Sequence, residues 1–307
     1  MPVVFDYHGL TDIGRKRDSN QDQFLIADLR KSMTVLTTSV ALDHQARLFG
    51  ESQGMLLAVA DGMGGHAAGE RASSIAVDTI MTYVLNSMHW FFRLEKDCEV
   101  DFIDELKQAL EACHASVTAE GARVPQHAGM GTTLTLAYVM WPRLFVVHAG
   151  DSRCYLLRQS RLEQVTTDHS MAQKLMQGGS ISPEAAINSR WSRMLWKVIG
   201  GQADVVGPEV YQAALQPRDA LLLCSDGLTR HLTDEQIVAI IDDSPAEEAC
   251  QRLVNAAVEA GGTDNVTVVM VRFQETQADM GKDSMKETTA SFAHDTDVHI
   301  EFPTVGT

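Results

Sequence analysis

Hydrophobic positions along the chain alternate between strand-like and helix-like spacing. Residues 3–12 and 22–28 read as strands, and residues 55–61 form the continuous apolar run expected of a strand buried on both faces. Helical spacing follows: Ala72, Ile75, Ala76, Ile80, Tyr83 and Val84 share one face, and Phe102, Leu106, Ala109, Leu110, Cys113 and Val117 share another. Short strands come next at 132–140, 143–149, 152–158 and 161–165, spaced closely enough to favour antiparallel pairing. Trp141-Pro142 marks the first turn among them, because proline cannot continue a central strand. Strands return at 205–213 and 219–225, helices at 234–241 and 245–260, and a last strand at 266–273.

Three stretches break this rhythm. Residues 29–53 have no clear period and read as an insertion or a long hairpin. Residues 169–200 hold a helix-like piece, MAQKLMQGG, followed by irregular sequence. From 275 to 307 the chain carries seven acidic residues and two lysines among many Thr and Ser, the composition of a tail that is disordered or ordered only on a partner. Helices and strands otherwise fall in blocks. That implies an α+β domain over 1–274, an antiparallel two-sheet core covered by helices, with the acidic tail outside it.

At 307 residues and 45% hydrophobic, the chain can build one large core. No run reaches the roughly 18 apolar residues of a membrane span, and the opening MPVVFDYHGLTD lacks the basic-then-apolar order of a secretory signal. Five cysteines (Cys98, Cys113, Cys154, Cys224, Cys250) with no CxxC pair suggest a reduced, cytoplasmic protein without disulfides. A formal net charge of −16 argues against nucleic acid as a partner.

The chemistry concentrates in aspartates that end or follow apolar runs. They are Asp61 in LLAVADGMGG, Asp151 in LFVVHAGDSR, Asp226 in LLLCSDGL and Asp264 in GGTDNVTVVMVRF, with Asn20-Gln21-Asp22 upstream. Singly, a DG pair is a turn. Together, carboxylates released at strand ends collect the hard oxygen donors that Mg²⁺ or Mn²⁺ requires.

The order of these segments resembles the bacterial form of the metal-dependent serine/threonine protein phosphatases (type 2C). The resemblance is carried by Arg17 to Asp22, by Asp61 to His66 with Gly69-Glu70, and by Gly131-Thr132-Thr133. Gly150 to Arg153, Asp168-His169-Ser170, Ser225-Asp226-Gly227 and Thr263-Asp264-Asn265 complete it. It implies two packed sheets flanked by helix pairs, a four-layer α-β-β-α sandwich, with a flap subdomain at about 169–200. It also implies two metal ions. Asp61 is shared between them and Gly62 adds a backbone carbonyl. Asp226 and Asp264 complete one ion, and Asp22 supports the other partly through water. Asp151, with Asp226, matches a third, weaker metal site.

Arg17 takes the place of the phosphate clamp, where a guanidinium offers paired donors; an ordinary salt bridge with Asp18 is the alternative. His66 is the candidate general acid, since the alkoxide leaves badly unless protonated. Here the chain departs from many eukaryotic relatives, which carry histidine directly after DG where this sequence has Met63. An exposed residue at a helix start is the other reading of His66.

The implied activity is Mn²⁺- or Mg²⁺-dependent hydrolysis of phosphoserine and phosphothreonine on cytoplasmic proteins, by a monomer opposing bacterial serine/threonine kinases. An inactive phosphoprotein-binding module and a hydrolase of small phosphoesters stay open beside it.

Overall fold

The computed structural model describes residues 3–34, 47–87, 99–187, 189–201, 207–241 and 243–275. The tail after 275, residues 35–46 of the expected insertion or long hairpin, and Cys98 lie outside the described residues.

Among the described residues twelve strands form two antiparallel sheets. The first runs β1 (Val3–Asp12), β12 (Val266–Glu275), β11 (Ala220–Cys224), β7 (Arg153–Arg158), β8 (Arg161–Gln164). The second runs β10 (Glu209–Ala214), β6 (Arg143–Ala149), β5 (Leu134–Met140), β3 (Arg47–Met63), with β2 (Asp22–Thr34) also paired to β3. The far end of β3 pairs with β4 (Gly131–Thr132), which pairs with β9 (Ile199–Gly200). Residues 29–34 and 47–53 therefore belong to the β2–β3 hairpin, which settles the irregular 29–53 stretch as a long hairpin as far as it is described.

Apolar residues on both faces of the strands explain the layering. In β3, Met55, Leu57 and Val59 face the other sheet, meeting Leu221, Leu223, Val269, Val271 and Phe273. Leu56, Ala58 and Ala60 point the opposite way, onto helices α1 (His66–Asn86) and α2 (Glu99–Arg123). Small side chains on α1 (Ala68, Ala72, Ala76) let it lie close to that sheet. On the other side, Leu222, Cys224, Val266, Val268 and Met270 pack against α6 (Asp234–Ile241) and α7 (Ala246–Glu259) through Ile237, Ile241, Leu253 and Val254. The order is helix pair, sheet, sheet, helix pair. Each fully buried Leu, Val or Phe contributes about 1.5–3 kcal/mol relative to exposure, so the inter-sheet layer holds the sandwich together.

Between β8 and β10 the chain forms α3 (Met171–Gln177), α4 (Pro183–Ile187), a 3₁₀ turn at Arg190–Arg193 and β9. Ser170 caps α3, its hydroxyl accepting from the Gln173 amide. A short helix, α5 (Asp226–Thr229), follows β11.

Two expectations shift in detail. The strand expected over 132–140 is divided at Thr133, whose amide donates to the Asp61 carbonyl (2.9 Å) instead of continuing one ladder. Asp61 also does not end its strand, because β3 runs on to Met63 to reach β4.

Candidate metal centre and active site

In an antiparallel sandwich the end of one strand lies beside the start of the next. Asp22 opens β2, and Asp61 stands opposite it near the end of β3. Asp226 follows β11, Asp264 precedes β12, and Asp151 lies between β6 and β7. Asp61, Asp151, Asp226 and Asp264 line one cavity of about 700 Å³, together with Arg17, Gly62, Thr133, Arg193 and Arg230. Asp22 is buried beneath it, 3% exposed.

Each carboxylate is positioned by its backbone. The Asp61 amide donates to Thr133 Oγ1 (3.0 Å), while its carbonyl accepts from the Thr133 amide (2.9 Å) and Thr132 Oγ1 (2.9 Å). Gly62 must be glycine: a Cβ there would fall 2.1 Å from the Gly69 carbonyl oxygen. Gly227 is under the same constraint, with a Cβ position 1.9 Å from the Asn265 carbonyl oxygen. The DG pairs are thus places where two backbones touch, and not simply turns. Asn265 ties the Arg17 loop to the Asp264 loop. Its Oδ1 accepts from the Gln21 amide (2.9 Å), and its Nδ2 donates to the carbonyls of Ile13 (2.9 Å) and Ser19 (3.0 Å).

The electrostatics are those of crowded acids. Burial, then the charges of Asp226 and Asp264, push Asp22 up to about 7, against the hydroxyls of Ser225 and Thr267, which both donate to its Oδ2 at 2.7 Å. Burial and the neighbouring aspartates raise Asp61 and Asp151 well above the usual carboxylate range. Burial lifts Asp226 to about 6, opposed by Arg230. Two buried carboxylate oxygens, Asp22 Oδ1 and Asp226 Oδ1, have no hydrogen-bond partner among the described residues.

This donor set fits divalent cations. All its groups are hard oxygens, two of them lack partners, and the cluster's mutual repulsion is what bound positive charge relieves. Among the described residues no three acidic side chains already close around one point. Arginines meet two of them instead. Arg17 grips Asp264 with Nε and Nη2, both at 2.8 Å, and Arg230 bridges Asp264 (Nη1, 2.8 Å) and Asp226. Arg17 therefore sits in the cavity with its guanidinium on a carboxylate. His66 opens α1 after Gly64-Gly65, and its side chain lies outside the described structure.

Sequence reading missed Arg230; its signal was the i,i+4 spacing from Asp226. His169, named in the sequence only within the Asp168-His169-Ser170 motif, has a place in the frame of the cavity. That ring accepts from the Gly150 amide at Nδ1 (3.0 Å), and Nε2 lies 3.0 Å from Glu209 Oε1. The same Glu209 takes Lys197 Nζ (2.9 Å) and the Tyr211 hydroxyl (2.7 Å). One carboxylate on β10 thus anchors Lys197, near the end of the 169–200 segment, and lies beside His169, whose ring holds the residue before Asp151. His148, buried in β6, stacks on His169 with ring centres 4.7 Å apart.

The sequence profile of the protein phosphatase 2C family matches residues 27–266, a span that includes Asp61, Asp151, Asp226 and Asp264. The chain belongs to this family. Among its phosphatase 2C relatives, it is 37% identical over 216 residues to the serine/threonine protein phosphatase PstP of Mycobacterium tuberculosis, covering 70% of this chain and 40% of PstP. Against protein phosphatase PhpP of Streptococcus pneumoniae it is 31% identical over 275 residues, 88% of this chain and 98% of PhpP. The catalytic domain of PstP, solved in complex with two manganese ions, superimposes with a TM-score of 0.69 at 31% identity, covering 89% of this chain and 100% of that one. The Streptococcus agalactiae serine/threonine phosphatase gives 0.72 at 27% identity, covering 89% and 100%. The four-layer architecture is therefore that of the phosphatase 2C fold.

Proposed function

We propose that the chain hydrolyses phosphoserine and phosphothreonine on proteins, using two Mn²⁺ or Mg²⁺ ions at the aspartate cluster, with Asp151 and Asp226 offering a third, weaker site. The observation that carries this reading is the convergence of Asp61, Asp151, Asp226 and Asp264 on one cavity with Arg17 at its wall. Asp22, Asp61, the Gly62 carbonyl, Asp226 and Asp264 would hold the paired ions. When bound, such ions supply a water of lowered pKa and offset charge on the phosphoryl group.

The chain's own groups do the rest. Arg17, 48% exposed at its side chain, leaves Asp264 to take two phosphate oxygens as a planar fork. Arg230 stays between Asp226 and Asp264 and limits their repulsion. His66, at the start of α1, gives a proton to the departing serine or threonine oxygen. Thr133 and Asn265 fix the backbones on which these groups ride.

Substrates of this kind place the protein opposite serine/threonine kinases. Four described cysteines, all buried and unpaired, support a reducing cytoplasmic setting. Among the described residues no helix is long and apolar enough to cross a membrane.

The test is phosphate release from a phosphothreonine peptide with Mn²⁺, with Mg²⁺ and with chelator. Metal-dependent release that chelator abolishes is the expected result. Folded protein that binds the peptide but releases nothing under either metal is a phosphoprotein-binding module instead.

A further inference from the structure

The 169–201 segment differs in character from the rest of the chain. In a protein of net charge −16 it holds four basic residues (Lys174, Arg190, Arg193, Lys197) against one acidic residue, Glu184. Its residues 193–198 run along the cavity: Arg193, Leu195 and Val198 line it. Between them, Met194 and Trp196 turn outward, 52% and 43% exposed. Large apolar groups left in water beside a cavity mark a contact surface.

The surface is ordered before anything binds. Trp196 is held edge-on by His169, ring centres 5.1 Å apart, and its ring sits beneath Lys174 Nζ (5.2 Å) and Lys197 Nζ (4.8 Å). The Arg190 guanidinium lies over Trp191 at 4.5 Å. Lys197 is committed to Glu209, but Lys174 and Arg190 are exposed and rest on tryptophan rings, leaving their charge to solvent. Such pre-ordering lowers the entropy lost on binding. An acidic ligand is repelled by most of this protein's surface and drawn to this strip, so the field also orients it.

We propose that Lys174, Arg190, Met194 and Trp196 form a docking strip that selects phosphorylated protein segments carrying acidic residues and one apolar side chain near the phosphoresidue. This rests on the phosphatase reading and names the substrate class for that same cavity.

The experiment compares kcat/KM, with Mn²⁺, for three phosphothreonine peptides of equal length: acidic with one leucine, neutral, and lysine-rich. p-Nitrophenyl phosphate, which has no flanks, reports the chemistry and the folded state. The acidic peptide should lead the lysine-rich one by about tenfold at low salt, a few exposed contacts added together, and the lead should shrink as salt rises. The R190E/M194D double variant, and separately K174E, should lose most of that lead through KM while turning over p-nitrophenyl phosphate normally. Equal kcat/KM for all three peptides, or a lead that survives both variants, overturns the docking strip and leaves the phosphatase reading standing. No turnover of any substrate by folded protein overturns both.

Discussion

Asp22 and Asp61 face one another across β2 and β3 at the buried end of the sandwich. Burial is the larger cost and pushes both acids above their ordinary range; at Asp61 the opposed charge of Asp22 adds to it, and at Asp22 the charges of Asp226 and Asp264 do. The protein keeps beside its carboxylate-lined cavity an arrangement that a purely structural sheet would avoid.

The sign of the resulting pH dependence follows directly. Asp22 and Asp226 titrate near 7 and near 6 when folded, against 3.8 as the ordinary value, so the folded state holds more protons between those limits. Their contribution is most favourable below the ordinary value and is lost as pH rises through the folded values. Chelator-treated protein should therefore melt at a higher temperature at about pH 5.5 than at about pH 8 as far as these groups control it. Mn²⁺ should erase or reverse that order by stabilising the ionised cluster. Scanning fluorimetry across the range checks this, and a chelated protein insensitive to pH would contradict the coupling of the acids.

Arg230 lies between two cavity carboxylates. Arg230→Ala removes the cation and leaves Asp226 and Asp264 less compensated. With its side chain 31% exposed, the cost in metal-free protein should be about 1–3 kcal/mol, below that of a fully buried pair. Added Mn²⁺ should recover much of the lost melting temperature. A variant as stable as the parent in chelator would show that the pairing contributes nothing.

Asn265→Ala deletes three hydrogen bonds that join the Arg17 loop to the Asp264 loop. Their loss should cost about 2–4 kcal/mol, since buried partners are left unpaired. If Arg17 holds phosphate, the looser loop should raise KM for a phosphopeptide more than it lowers kcat. Urea denaturation and steady-state kinetics on one preparation separate the two effects.

Glu209 gathers His169, Lys197 and Tyr211. In Glu209→Gln the charge that anchors Lys197 near the end of the 169–200 segment is gone. Trypsin should then cut sooner at Lys174, Arg190 or Arg193, while circular dichroism stays that of the parent. Unchanged cleavage kinetics would mean that the segment is held by other contacts.

The four layers were legible because β3, β11 and β12 are apolar on both faces, and α1, α2 and α7 repeat at helical spacing. The aspartates were legible as a set because antiparallel strands bring their ends together, although their geometry was not. Arg230 escaped notice because an i,i+4 arginine is ordinary on any helix, and only the loop arriving from Asp264 makes it part of a cavity. His169 showed no role beyond its place in the Asp168-His169-Ser170 motif, because its neighbours Gly150 and Glu209 are distant in sequence or unremarkable as residue types. The glycines after Asp61 and Asp226 were noticed as turn signals, whereas the approaching carbonyls of Gly69 and Asn265 explain why nothing larger fits.

The last strand, β12, lies inside its sheet between β1 and β11. It brings Thr267 to Asp22, 245 positions earlier, while Asp264 just ahead of it meets Arg17. During synthesis the first strand must wait for nearly the whole domain before its neighbour exists, and pairings over such separations form late. The aspartate cluster is thus assembled last. An incomplete product ending before Asp264 lacks an interior strand of one sheet as well as an acid of the cluster, so a ribosome-bound or prematurely ended chain cannot complete the carboxylate-lined cavity.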